Sequence, residues 1–221
     1  MSGSTQLLLF DLDGTLIDSA PDLAAAANAM RAVRNLPALP LAALRPMVGS
    51  GARGMVGTAL GVKPGDDGFD ALRHEFLERY QAALLVHTAV FADMLPVLDR
   101  LEVAGRRWGI VTNKAARFTQ PIVQGLRLDT RAAVVVSGDT TPHSKPHPAP
   151  LLEAARRAGI DAAHCAYVGD DERDIQAGRA AGMTTLAAAW GYLGQGEPVE
   201  AWGAHAILRQ PAALLHWLQL A

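Results

Sequence analysis

Near the start of the chain an unbroken apolar run, Leu7-Leu8-Leu9-Phe10, gives way at once to Asp11-Leu12-Asp13-Gly14-Thr15. A short run without polar alternation, closed by turn residues, suits a strand buried on both faces of a parallel sheet. Such a strand needs partners on both edges and helices above and below, which rules out most other arrangements. An open α/β sheet leaves a crevice beyond the carboxyl ends of its strands, so a strand ending in two acids offers them to a ligand. Carboxylates this close repel each other unless a cation, a shared proton or an electrophile relieves them. A second reading stays open on this stretch alone: Asp, Gly and Thr are ordinary turn residues, and the segment can be a plain strand-to-turn cap.

Behind this strand the pattern changes. Asp18-Ser19 before Pro21 marks a helix start, and the Ala-rich stretch from Leu23 to Val33 continues it until Pro37. Val48-Gly49-Ser50-Gly51-Ala52-Arg53-Gly54 reads as a glycine-rich link into a helical segment ending near Leu60. Leu72, Phe76, Tyr80, Ala83 and Leu84 then recur at helical spacing between Phe69 and Val86. From Ser19 to His87 the reading is helices and no convincing strand.

From about Phe91 onward, helices and strands alternate. Helices are predicted over 94–104, 116–125, 148–158, 175–181 and 211–220, with strands at Trp108 to Val111, Ala133 to Val136, Cys165 to Val168, Thr184 to Ala188 and Ala206 to Leu208. This alternation implies an α/β fold, a Rossmann-like parallel sheet covered by helices on both faces. The first strand must rejoin it after a helical stretch far longer than the ~10–12 residues a crossover needs. We therefore expect an all-helical cap, residues 16–88, inserted into a core made of residues 1–15 and 89–221. A separate N-terminal helical domain would leave Leu7 to Phe10 without a sheet.

Composition narrows the function. With 221 residues, half of them hydrophobic, the chain can bury a full core. The formal charge of -2 and the lack of a dense Lys/Arg stripe argue against nucleic acid or an anionic membrane as partner. No apolar run approaches a bilayer span and no secretory signal is visible, so the expected location is cytoplasmic. The single cysteine, Cys165, sits in an apolar run and reads as a small buried hydrophobe.

Four strand ends carry chemistry. The first delivers Asp11 and Asp13, the second Thr112 and Asn113, and the strand of Cys165 to Val168 delivers Gly169-Asp170-Asp171 with Asp174 one helical turn on. Ser144-Lys145-Pro146 follows the strand that ends at Ser137. Singly, these residues are equally turn hydroxyls, a solvated lysine and helix caps. Parallel strands bring them to one rim, where an acidic cluster, a lysine and a hydroxyl suit phosphoryl transfer. Asp11 and Asp170 can hold Mg2+, which commonly takes one or two carboxylates with water and phosphate oxygens. An aspartyl-phosphate would divide a very slow hydrolysis into two steps, with Lys145 and Thr112 steadying the transferring oxygens.

In this order and spacing, Asp-x-Asp-Gly-Thr, the strand-end Thr, Lys-Pro and Gly-Asp-x-x-x-Asp resemble the haloacid dehalogenase superfamily. The resemblance implies Asp11 as nucleophile and metal ligand, and Asp13 as general acid/base that also lends its backbone carbonyl to the metal. It places Thr112 and Lys145 at the phosphate, with Asn113 counted beside them as a substrate-binding candidate, and Asp170 on the metal. Asp174 is assigned to the surroundings of the metal. Asp171, where many relatives carry Ser or Thr, would touch the metal's water shell or face solvent.

Within the superfamily, Thr112-Asn113-Lys114, Ser144-Lys145-Pro146-His147-Pro148 and Ala177-Gly178-Arg179-Ala180-Ala181-Gly182 resemble phosphoglycolate phosphatases. The run Asp170 to Ile175 with Gly191-Tyr192 also resembles the bacterial N-acetylmuramic acid 6-phosphate phosphatases. The implied activity is Mg2+-dependent hydrolysis of a small phosphorylated metabolite, 2-phosphoglycolate first and N-acetylmuramic acid 6-phosphate second. A sugar-phosphate mutase and a non-catalytic phosphate-binding module are the remaining alternatives. Lys63, in a Pro-Gly loop, is a poor Schiff-base candidate for a phosphonate-cleaving enzyme. Arg53, at the start of a cap helix, is the candidate for a substrate carboxylate, with a solvated turn as the other reading. His87 and His147 read as structural. Monomer and homodimer are both compatible with the sequence.

Overall fold

The computed structural model describes residues 5–220, so the first four residues and the last of the expected core lie outside it. The apolar run becomes strand β1, Leu7–Phe10, completely buried along its length. It pairs in parallel with β4 (Arg107–Val111) on one edge and β6 (Cys165–Gly169) on the other. With β5 (Val135–Val136), β7 (Thr184–Ala188) and β8 (Ala206–Leu208), the six-stranded sheet has the order β5-β4-β1-β6-β7-β8. The first strand of the sequence is thus central, as an all-apolar strand must be.

Period-two alternation divides the core. Leu8 and Phe10 pack with Trp108, Ile110, Ala166 and Val168 on one face, while Leu7 and Leu9 pack with Val111, Cys165 and Tyr167 on the other. Helices α5 (Leu95–Val103), α6 (Ala116–Gly125), α7 (Ala149–Ala158), α8 (Glu172–Ala180) and the short α9 (Ala213–Trp217) follow the expected alternation. Several boundaries differ from the sequence reading: the closing helix expected over 211–220 is regular only over Ala213–Trp217, and the helical segment expected from Phe69 to Val86 ends at Gln81. The helix expected from Ile175 begins at Glu172, because Asp171 caps it and closes a capping box with Asp174. The strand expected over Ala133 to Val136 keeps only its last two residues in regular pairing.

Between β2 (Ile17–Asp18) and β3 (Ala89–Val90) lie four helices, α1 (Ala20–Ala32), α2 (Leu41–Leu44), α3 (Gly51–Leu60) and α4 (Phe69–Gln81). β2 and β3 pair antiparallel, so the chain leaves and re-enters the sheet layer through one two-stranded ribbon. Asp22 on α1 closes the return. Its buried carboxylate accepts hydrogen bonds from the backbone N–H groups of Val86, His87 and Thr88 and from the Thr88 hydroxyl. No helix among the described residues is long and apolar enough to cross a membrane.

Candidate active site

Asp11 leaves the end of β1, Thr112 the end of β4 and Asp170 the end of β6, while Lys145 stands on the loop between β5 and α7. All four line one cavity of about 290 Å3, closed on its far side by Val48, Phe76 and Tyr80 from the helical layer. Parallel strand order is the cause, since it puts every one of those loops at the same rim.

Lys145 is the hub. Its buried Nζ lies 2.9 Å from Asp11 Oδ1 and 2.7 Å from Asp174 Oδ1, and donates to the Tyr167 hydroxyl (2.7 Å) and the Val111 carbonyl (3.2 Å). Three N–H bonds cannot serve four oxygens. Asp11 Oδ1 keeps the ion-pair contact but has no aligned donor, and is a buried carboxylate oxygen without a hydrogen bond. The Lys145 main chain is bracketed by Asn113, whose side-chain oxygen accepts from Lys145 N–H (2.9 Å) and whose amide donates to Lys145 C=O (3.0 Å). Burial alone would lower the Lys145 pKa, but the carboxylates of Asp11 and Asp174 outweigh it and hold the ammonium charged.

Asp170 is packed as tightly. Its two oxygens accept from the Thr15 hydroxyl and from the Tyr192 backbone N–H, both at 2.8 Å. Gly14, at φ +86°, and Gly191 complete the cradle, because a Cβ at either position would collide with the Asp170 side chain. Burial, then the neighbouring Asp11 and Asp174 charges, push the Asp170 carboxyl well above its ordinary range. Asp11 is raised to about 7, first by burial, then by Asp174 and Asp13, against the pull of Lys145.

Ligand atoms of Asp11, Asp170 and Asp174 lie within 4.8 Å of one another. Three mutually repelling carboxylates and an orphaned Asp11 oxygen fit a hard divalent cation, which relieves the repulsion and supplies the missing partner. Asp174 is the least available of the three, its Oδ1 beside Lys145 and its Oδ2 accepting from Asp171 N–H (3.1 Å).

Asp13 occupies the other side of the cleft. Both its oxygens accept from Lys114 Nζ, at 2.8 and 2.9 Å, and the Ser19 hydroxyl donates to Oδ1. Lys114 is itself 4.9 Å from the centre of the Tyr80 ring on α4. Burial would lower its pKa, but Asp13 more than compensates and holds it charged.

Residues 8–188 match the family model described as haloacid dehalogenase-like hydrolase. The chain belongs to the haloacid dehalogenase-like hydrolases. It is 50% identical to a phosphoglycolate phosphatase of Xanthomonas campestris over 94% of this chain and 93% of that one. It is 44% identical to an N-acetylmuramic acid 6-phosphate phosphatase of Pseudomonas putida with the same coverage. Among solved structures, a predicted phosphoglycolate phosphatase from Haemophilus somnus superposes with a TM-score of 0.84 at 27% identity, over 96% of this chain and 97% of that one. This haloacid dehalogenase-like hydrolase is accordingly a phosphoric monoester hydrolase.

Of the residues picked out from sequence, the fold brings Asp11, Asp13, Thr112, Asn113, Lys145, Asp170, Asp171 and Asp174 to this hydrolase's cleft. Arg53 is not among them. It is exposed on α3, while Gly51 and Ala52 are the residues of that helix start that face the cavity. Asp171 turns toward Arg173, which grips both its oxygens at 2.7 Å and reaches on to the Gly49 carbonyl in the helical layer. Burial would raise the Asp171 carboxyl, but the hydrogen bonds and charge of Arg173 together outweigh it and hold the group low. Two residues escaped the sequence reading as functional: Lys114, which lines the cleft and stands two places past a strand-end threonine, and Tyr167, fully buried behind it against the Lys145 ammonium and the one hydroxyl in an otherwise apolar strand.

Proposed function

We propose that this chain is a Mg2+-dependent phosphatase that hydrolyses a small phosphomonoester through an aspartyl-phosphate on Asp11. The observation that carries the reading is the donor-free Asp11 oxygen, held beside Lys145 and the Asp170 carboxylate at the mouth of a cavity. Mg2+ held by the side chains of Asp11 and Asp170 and the Asp13 carbonyl would neutralise phosphate charge, so that an anionic carboxylate can approach an anionic ester.

The remaining roles fall to the chain's own groups. An Asp11 oxygen attacks phosphorus in line with the departing oxygen, and the bond to the leaving group breaks as the new one forms. Lys145 and the Thr112 hydroxyl hold the equatorial oxygens while charge spreads over them. Asp13 gives its proton to the departing alkoxide and then takes one from the water that splits the aspartyl-phosphate, which restores Asp11. Asp174 keeps Lys145 aimed at Asp11, and Asn113 fixes the Lys145 main chain. Asp171 anchors α8 and Arg173. Residues 16–88 act as the cap that excludes water and reads the leaving group, with α4 over the cleft.

The substrate proposed is 2-phosphoglycolate, in line with the 50% identical relative. A second reading, N-acetylmuramic acid 6-phosphate, is favoured by the cavity of about 290 Å3, which leaves space for a sugar-sized leaving group. The experiment is direct. Wild type hydrolyses p-nitrophenyl phosphate in Mg2+ and stops in excess EDTA, and Asp11→Asn is folded and inactive. Kinetics on the two named esters, side by side, decide the leaving group. Full activity of Asp11→Asn would remove Asp11 from the role of nucleophile.

A further inference from the structure

Lys114 is a buried cation in the cleft with no step of the proposed hydrolysis assigned to it. Its ammonium occupies both oxygens of Asp13, the group that must reach the departing oxygen. While that pair persists, Lys114 holds both Asp13 oxygens and Ser19 holds Oδ1 as well, so the carboxylate is already engaged. Something must draw Lys114 away, and the walls of the cavity indicate what. Beside it stands Tyr80, about 1% exposed, whose hydroxyl has no hydrogen-bond partner. An orphaned buried hydroxyl and an ammonium already shaped around a carboxylate make a two-donor seat for another carboxylate. Phe76 and Leu77 of α4 form its apolar surroundings, which strengthen a charge-assisted contact by excluding water.

We propose that Lys114 and Tyr80 recognise a carboxylate carried by the leaving group, and that in taking it Lys114 releases Asp13 for proton transfer. No covalent bond changes in this exchange: Nζ gives up one carboxylate and gains another. It rests on the phosphatase reading above and adds a substrate rule. Esters with an acidic leaving group draw Lys114 off Asp13, whereas an ester without that carboxylate must wait for the pair to open unaided and is turned over more slowly.

The test compares 2-phosphoglycolate with its primary amide, 2-phosphoglycolamide, which keeps the shape and removes the charge. Wild type is expected to favour the acid in kcat/KM by about tenfold or more, the size of one charge-assisted hydrogen bond. Lys114→Met brings the ratio close to one, and Tyr80→Phe lowers it by a smaller factor. Both esters are read on one preparation, so a misfolded fraction cancels from the ratio. If Lys114→Met does not fold, wild type and Tyr80→Phe still decide. A wild-type ratio near one, or a wild-type ratio retained in Lys114→Met, overturns the inference. If wild type turns over p-nitrophenyl phosphate without preferring acid to amide, the phosphatase reading survives alone; if it turns over none of the three esters, both fall.

Discussion

Replacing Asp22 by Ala should loosen the return of the helical layer to the sheet, and the cost can be worked out from its partners. The carboxylate accepts from Val86 N–H (3.1 Å), His87 N–H (3.0 Å), Thr88 N–H (2.8 Å) and Thr88 Oγ1 (2.7 Å). Val86 and His87 are exposed, so water replaces the lost acceptor there at little cost. Thr88 is buried, and its N–H and hydroxyl lose a charged acceptor with no substitute. At roughly 1.5 kcal/mol for each of those two bonds, the variant should be about 3 kcal/mol less stable. For a chain of this size that lowers Tm by about 6–12 °C. Scanning calorimetry of wild type, Asp22→Ala and Asp22→Asn provides the assay, with the amide falling between the other two because it keeps one oxygen for the donors but gives up the negative charge that strengthens those bonds. A loss of under about 2 °C in Asp22→Ala would refute the reasoning, and would mean that Thr88 finds another acceptor or that the ribbon alone holds the return strand.

Two further outcomes follow from the site. Asp11 is raised from 3.8 to about 7 in the folded chain, so the folded state holds its proton more tightly than the unfolded one; in EDTA, Tm should therefore fall as pH rises from 5 to 8. Mg2+ should flatten that slope by taking the proton's place, and a metal-free Tm that rises over this range would contradict the burial, with the neighbouring carboxylates, that raises Asp11. Tyr167→Phe removes the hydroxyl that accepts from Lys145 at 2.7 Å and should lower kcat about tenfold by freeing the ammonium, whereas unchanged steady-state kinetics would show that Asp174 alone aims it.

The parts of this molecule that sequence discloses are those where short-range order sets the outcome. Leu7 to Phe10 suits a central strand, and Asp11, Thr112 and Asp170 each stand directly at a strand end, so parallel topology brings them together, while Lys145 reaches them from the loop after β5 with its main chain held by Asn113. The Lys145 partners were less legible because they depend on side-chain reach: Tyr167 comes from the buried face of β6, and Asn113 spends its amide on the Lys145 backbone. Arg53 illustrates the opposite error. A glycine-rich helix start marks a place near the cleft, but only the turn of α3 decides that Ala52 faces it and Arg53 faces solvent. Asp171 was ambiguous between metal water and solvent; a neighbour two residues away, Arg173, claims it instead. Lys114 stood in view within Thr112-Asn113-Lys114, yet its tie to Asp13 crosses 101 positions of chain, which no local pattern encodes.

Covalent capture on Asp11 is the account's central claim, and it can be measured outright. In Asp13→Ala, attack by Asp11 is retained but activation of water is lost, so an aspartyl-phosphate should accumulate when the enzyme is mixed with p-nitrophenyl phosphate and Mg2+. Acid quench and peptide mass spectrometry should find a hydroxylamine-sensitive phosphate on the peptide carrying Asp11. A phosphate on any other residue, or turnover by that variant at the wild-type rate with no phosphorylated peptide, would contradict it.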